Sequence, residues 1–184
     1  MRILAGKYKG RKIISPSNKL IRPTSEKVRG VIFNMINSYF IKNNIDFKNM
    51  VILDCFSGTG SFGIEAYSRG AKKVIFSDLS KDSLNLTRKN LKIFDLKNSF
   101  EILKIDYTKK FLSISEIDLF FMDPPYKEGI LEISLKNLIS SNWLRKKSFG
   151  IIETDSRDFC FLDFKIHLIK KKKIGKSYIY FVDL

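Results

Sequence analysis

Four consecutive residues, Asp123, Pro124, Pro125 and Tyr126, join a carboxylate and an aromatic ring through two prolines. Proline has no backbone N–H and a fixed φ, so this corner offers mainly hydrogen-bond acceptors at set positions. Acceptors so held suit a partner that brings two N–H bonds on one nitrogen, such as the exocyclic amino group of a nucleobase. The Asp123 carboxylate and the Pro124 carbonyl can each take one hydrogen, and the Tyr126 ring can stack on an extruded base. The nitrogen lone pair is then aimed at an incoming methyl. Such a transfer needs no strong base, because positioning alone supplies up to about 7–11 kcal/mol in favourable systems. Whether Asp123 takes the proton or only orients the amine stays open in the sequence. The same four residues also read as a rigid surface turn, and what precedes them decides against that.

A second constellation lies upstream in "LDCFSGTGSFG", where Gly58, Gly60 and Gly63 follow the G-x-G-x-x-G spacing and Asp78 closes the next apolar run. Glycines allow a tight turn and a close approach of backbone to ligand. An acid at the end of the second strand can accept both hydroxyls of a ribose. This spacing fits NAD as well. Asp54 favours another cofactor, because an acid facing the loop repels a pyrophosphate and attracts an ammonium. S-adenosylmethionine carries an α-ammonium and a sulfonium and no phosphate. A loop-capping role for Asp54 is compatible with that one. Asp106 follows the third apolar run and is placed to accept an adenine amino hydrogen, or equally to cap the segment after it. Phe56, Leu79 and Tyr107, neighbours of these acids, complete the candidate cofactor set.

The elements that must position these groups are short apolar runs alternating with amphipathic segments. "VILDC", "KVIFS", "FEILKI", "IDLFFM" and "FGIIET" read as strands, and "SFGIEAYSRG", "SKDSLNLTRKNLKIFDL" and "GILEISLKNLISSNWL" as the helices between them. That alternation predicts an α/β fold with a parallel sheet covered on both faces. Two further β-rich runs, "FLDFKIHLI" and "SYIYFVDL", are too close for a crossover helix and predict an antiparallel hairpin at one edge. The lysines at 170–173 are read as its solvent-exposed turn. Ahead of the sheet, Thr24 or Ser25 caps a helix whose stripe is Val28, Ile32, Met35, Ile36, Tyr39 and Phe40. Before that helix, "RILAGKYKGRKII" alternates apolar and basic residues around Gly6 and Gly10. The expected division is a basic arm and helix over 1–48, packed on a core over 49–184 that acts as one globular unit.

The chain has 184 residues, enough to bury a core without metal or disulfide staples. Cys55 and Cys160 form no metal-ligand cluster and read as reduced thiols, which suits an intracellular, cytoplasmic protein. The lone His167 excludes a multi-histidine metal site, so no metal is expected. No run predicts a membrane span or signal peptide. The net charge of +15 points to a polyanionic partner, although a lysine-rich composition alone also produces a solvated basic face. The cations of the N-terminal part (Arg2, Lys7, Lys9, Arg11, Lys12, Arg22, Lys27, Arg29) are the candidate nucleic-acid contacts.

Three stretches together, "RPTSEKVRGVIFNMI", "LDCFSGTGSFGIEAYSRGA" and "FFMDPPYKEG", resemble the RsmD-type 16S rRNA (guanine-N2)-methyltransferases, and the resemblance runs nearly end to end. It implies the seven-stranded class I, Rossmann-like methyltransferase sheet and S-adenosylmethionine as donor. The implied target is the N2 amino group of a guanine in small-subunit ribosomal RNA, met in the subunit or its assembly intermediate; a monomer is expected because no segment reads as an obvious interface. It also places Arg22, Pro23 and Thr24 at the active-site mouth, and makes Arg2, Lys9, Arg11 and Arg29 contacts to RNA. Three departures stand out: Gly30 for an acid, Asp78 for a glutamate, and Ile174 for a tyrosine. A DNA amino-methyltransferase, a non-catalytic RNA-binding or assembly factor, and an NAD oxidoreductase are the competing readings.

Overall fold

Strands that are apolar on both faces are stable only when both faces are covered, and the helices do this for the central strands. The computed structural model describes residues 1–16, 24–94, 96, 99–111, 116–157, 159–161, 164 and 166–184. Among them β1 (Val51–Cys55), β2 (Lys73–Asp78), β3 (Phe100–Lys104), β4 (Ile117–Met122), β5 (Leu144–Thr154), β6 (His167–Ile174) and β7 (Ser177–Asp183) form one sheet. Its order is β3-β2-β1-β4-β5-β7-β6. β1 to β5 pair in parallel, and β7 runs antiparallel to both β5 and β6.

The helices are α1 (Glu26–Lys42), α2 (Ser61–Ser68), α3 (Lys81–Ile93) and α4 (Ile130–Ser140). Ser25 caps α1 by accepting the Val28 N–H at 3.2 Å, and Ser80 caps α3 through the Ser83 N–H. Side chains alternate across the strands. Ile52, Leu119, Phe121, Ile151 and Phe181 therefore pack with α1 and α2, while Leu53, Phe120, Met122, Ile152 and Tyr180 pack with Leu131, Leu135 and Leu138 of α4.

Three boundaries differ from the sequence expectation. The last hairpin's first strand begins at His167, not at Phe161, and it includes Lys170 to Lys173, so the lysines are strand and the turn is at Gly175 and Lys176. A run of lysine carries little β propensity, but pairing with the apolar β7 imposes the conformation. β5 starts at Leu144, well before the apolar run: Leu144 pairs with Ile117 and Phe149 with Leu119, and the polar "RKK" lies in the bulge between them, with Lys147 at φ +74°. α4 stops at Ser140, and Asn142 takes a positive φ that turns the chain into β5.

Parallel pairing in register sets the functional edge. Cys55 pairs with both Ser77 and Met122, so β1, β2 and β4 end level with one another. The glycine loop, Asp78 and Asp123 all leave the sheet at that edge.

Candidate active site

The level strand ends enclose a cavity of about 570 Å³, within the usual range for small-ligand sites. Its wall takes Asp54, Phe56, Gly58, Asp78, Leu79, Asp106 and Tyr107 from the candidate cofactor set, and all of Asp123 to Tyr126. Thr24 closes one side. Five carboxylates line it (Asp54, Asp78, Asp82, Asp106, Asp123), and no lysine, arginine or histidine does among the described residues. In a chain of net charge +15 that is a strong local reversal. A cavity with this lining attracts a cationic ligand and repels a pyrophosphate.

Asp54 is 1% exposed, and its Oδ2 accepts the Gly63 N–H at 2.9 Å. Burial pushes its carboxyl well above the usual carboxylate range, against the pull of the Gly63 N–H, and the nearby Asp78 and Asp123 add to the rise. A cationic ligand group beside it would reverse that balance. Asp54 thus holds the loop and lines the cavity with one side chain.

Asp78 also does two things. Its Oδ2 accepts the Gly58 N–H at 3.1 Å and its Oδ1 accepts the Ser80 N–H at 2.8 Å, so it ties the glycine loop to the start of α3. Beside it Leu79 is 52% exposed at the cavity, an apolar face of the kind a purine covers. Asp106 bonds Thr108 through both its N–H and its hydroxyl, which with the Lys109 ammonium holds its carboxyl below the usual range. The alternative of a helix cap is corrected, since among the described residues a turn and no helix follows, and Asp106 closes that turn while it also lines the cavity. Tyr107 turns its phenol inward to Ser77 Oγ, and its ring packs against Phe56 with centroids 5.1 Å apart.

The three glycines divide their work. Gly58 lines the cavity with φ +53°. Gly60 has φ +73° and does not line it. A Cβ there would sit 3.0 Å from Thr87 Cγ2, so this glycine allows the left-handed turn at the start of α2. Gly63 lets α2 approach β2, since a Cβ would fall 2.4 Å from a carbon of the buried Phe76 ring.

At the corner, Pro124 is buried while Pro125 and Tyr126 are exposed. The Tyr126 hydroxyl lies 2.9 Å from Ser177 Oγ, the first residue of β7. Beneath the corner Phe121 stacks on Phe62 with centroids 4.3 Å apart, and Phe62 stacks on Phe33 of α1 at 5.0 Å. A ladder of rings thereby supports the strand that carries Asp123.

The residues expected to meet RNA are scattered. Arg22 and Pro23 lie outside the described residues. Thr24 is at the cavity. Arg2, Lys9 and Arg11 are exposed but do not line it, and Arg11 spreads over the Tyr8 and Phe94 rings while donating to the Ile93 carbonyl. Arg29 is a correction: it is 0% exposed and cannot touch a macromolecule. It pairs with the equally buried Glu65 at 3.5 Å and donates to the Arg2 carbonyl. Burial lowers its pKa, and Glu65 opposes that shift. Its position on the buried stripe of α1, between Val28 and Ile32, is the signal that could have shown this.

Two structural residues escaped sequence reading. Glu65 accepts the N–H groups of Leu4 (2.7 Å) and Ala5 (3.0 Å) and so fastens the N-terminal arm to α2. Asn90, fully buried, accepts the Ile14 N–H and donates to the Ile14 and Thr59 carbonyls, joining the arm to the glycine loop. A glutamate and an asparagine within helices carry no local mark of such duties.

Known proteins match this chain along its length. The family described as Conserved hypothetical protein 95 matches residues 1–183. Ribosomal RNA small subunit methyltransferase D of Haemophilus influenzae is 32% identical, over 95% of this chain and 89% of its own. A solved chain from Haemophilus influenzae superposes with a TM-score of 0.78 at 28% identity, covering 99% of this chain and 97% of that one. A SAM dependent methyltransferase of Aquifex aeolicus, 17% identical with a TM-score of 0.60 over 79% of this chain and 87% of its own, shares the fold.

Proposed function

We propose that this chain, which belongs to the RsmD family described as Conserved hypothetical protein 95, methylates the N2 amino group of a guanine in small-subunit ribosomal RNA with S-adenosylmethionine as donor. The observation that carries the reading is the lining of the cavity. Five carboxylates and, among the described residues, no basic side chain, in a protein of net charge +15, suit a donor bearing an ammonium and a sulfonium and oppose a dinucleotide. Ribosomal RNA as the acceptor rests on the names of relatives such as the Haemophilus influenzae methyltransferase and on the basic exterior.

The donor, when bound, supplies an electrophilic methyl group and leaves as a neutral thioether. The chain's own residues do the rest. Asp54 faces the ammonium, Asp78 the ribose hydroxyls, and Asp106 the adenine amino group, with Leu79 and Phe56 against the ring. Asp123 and the Pro124 carbonyl accept the two N–H bonds of the guanine amine, and the Tyr126 ring stacks on the base. The new N–C bond makes the amine cationic, and one proton then passes to Asp123 or to water. Holding the two groups in line is the main source of rate.

The test is transfer of labelled methyl to small ribosomal subunits, and to their free RNA, from cells lacking the enzyme, followed by mass mapping. Label in one guanine as N2-methylguanine is the expected result. Label in adenine, in cytosine or in DNA would replace the target, and no label at all would favour a non-catalytic assembly role.

A further inference from the structure

The acceptor must reach the corner from one side only. The donor half of the cavity is built from the ends of β1, β2 and β3, through Asp54, Asp78 and Asp106. The corner follows β4, so RNA approaches over β5, β7 and β6. The described part of the N-terminal arm, residues 1–16, is anchored elsewhere. Its hairpin tip rests on the far end of α2, where the Lys7 N–H donates to the Ser68 carbonyl. α2 begins at the cavity with Ser61, and Ser68 lies about 10 Å further along its axis.

On the approach side, by contrast, the outermost strand is basic. Lys170, Lys172 and Lys173 of β6 and Lys176 of the turn are all exposed, and no ion pair engages them among the described residues. Their register places them beside the corner. Lys172 pairs with Ile179, which pairs with Glu153, one residue past the Ile152 that faces Met122. Lys172 is therefore level with Asp123, three strand spacings or about 14 Å away. Lys173 and Lys176 stand at the hairpin end, where Ser177 meets the Tyr126 hydroxyl. Lys171 folds over the Tyr178 and Tyr180 rings and donates to the Arg157 carbonyl, and the Lys173 ammonium stands over the Tyr178 ring at 5.5 Å while staying exposed.

We propose that the β6 edge and its hairpin tip, through Lys170, Lys172, Lys173 and Lys176, bind the phosphates that flank the target nucleotide. This rests on the RNA reading given above. Lysines on an edge strand also discourage pairing with another sheet, but that need does not account for Lys176 in the turn. The hydrogen bond from Tyr126 to Ser177 makes the basic edge and the base-stacking ring parts of one rigid unit. RNA seated on the edge thus sets the depth at which the base enters the corner.

The experiment compares two fourfold variants, each losing four charges. One is K170Q/K172Q/K173Q/K176Q, and the other is K42Q/K48Q/K72Q/K89Q, whose lysines are exposed and lie away from the hairpin. Affinity for small-subunit RNA is measured against KCl concentration, with KM for RNA, kcat, donor affinity and melting temperature alongside. The edge variant is expected to bind RNA at least tenfold more weakly at low salt, with the slope of log K against log salt reduced by about 2–4. Its donor affinity, melting temperature and kcat at saturating RNA should match those of the wild type. Equal losses in both variants, or none in the edge variant while the wild type methylates RNA, overturn the proposal. A wild-type protein that neither methylates nor binds small-subunit RNA overturns the RNA reading itself, and this surface with it.

Discussion

The Tyr126 hydroxyl and Ser177 Oγ are 2.9 Å apart, which locks the end of the Asp-Pro-Pro-Tyr corner to the first residue of β7. Ser177 is buried and Tyr126 half-exposed, so a fixed group anchors a ring whose face is open to a base. The Tyr126 ring is positioned by a strand from the C-terminal end of the chain.

Ser177→Ala removes that anchor and leaves the donor half of the cavity untouched. Loss of about 1 kcal/mol of orientation corresponds to a roughly fivefold fall in kcat/KM for RNA. Calorimetry should show donor affinity unchanged, and Tyr126→Phe should behave alike. A variant with full activity would remove the hydrogen bond from the account.

Asp123→Ala leaves the corner without its charged acceptor. Methyl transfer should fall by about 10²–10⁴-fold, while the donor dissociation constant stays within a few-fold of wild type. Single-turnover transfer of labelled methyl measures the first and calorimetry the second. Turnover at the wild-type rate would contradict the acceptor role.

Asp78→Ala frees the Gly58 and Ser80 N–H groups together. Donor binding should weaken by at least tenfold through loss of both a ligand contact and loop order. Binding titration checks this, and unchanged affinity would take Asp78 out of the site.

Asp54 predicts a pH dependence. Its carboxyl, raised by burial, keeps its proton in the folded ligand-free protein after the unfolded chain has lost it. Stability of the free protein should therefore fall as pH rises from about 4 to the folded value, and level off above it. A ligand ammonium favours the carboxylate, so donor binding should release a proton and tighten as pH is raised towards the folded value. Calorimetry in buffers of differing ionisation enthalpy counts that proton. Asp54→Asn should abolish the release and flatten both pH profiles.

Glu65→Ala would leave the fully buried Arg29 without its carboxylate and the arm without its anchor. The expected loss is about 3–5 kcal/mol in denaturant unfolding. Glu65→Gln should cost less, because an amide oxygen still accepts one arm N–H. Equal stability of all three proteins would refute the role of Glu65 as the anchor.

Much of this protein is local in its chemistry, and for that reason legible. Apolar runs of strand length, capped helices and two glycine turns fixed the parallel sheet, and the Asp-Pro-Pro-Tyr corner followed from the acceptor geometry of proline. The acids at positions 54, 78, 106 and 123 all line the cavity because each lies within two residues of a strand's end, and parallel strands of a common register end together.

Pairings between distant segments were not legible. Arg29 counted as a surface cation until Glu65 buried it, and Lys170 to Lys173 as a turn until β7 drew them into a strand. Neither the charge reversal inside the cavity nor the Tyr126–Ser177 bond has a local signal, since both depend on which side chains the fold brings face to face. Residue type and spacing determined what each segment could form and what chemistry its groups could do. Tertiary structure decided which charges meet solvent and which meet each other, because burial and partnership arise only when segments far apart in sequence pack together.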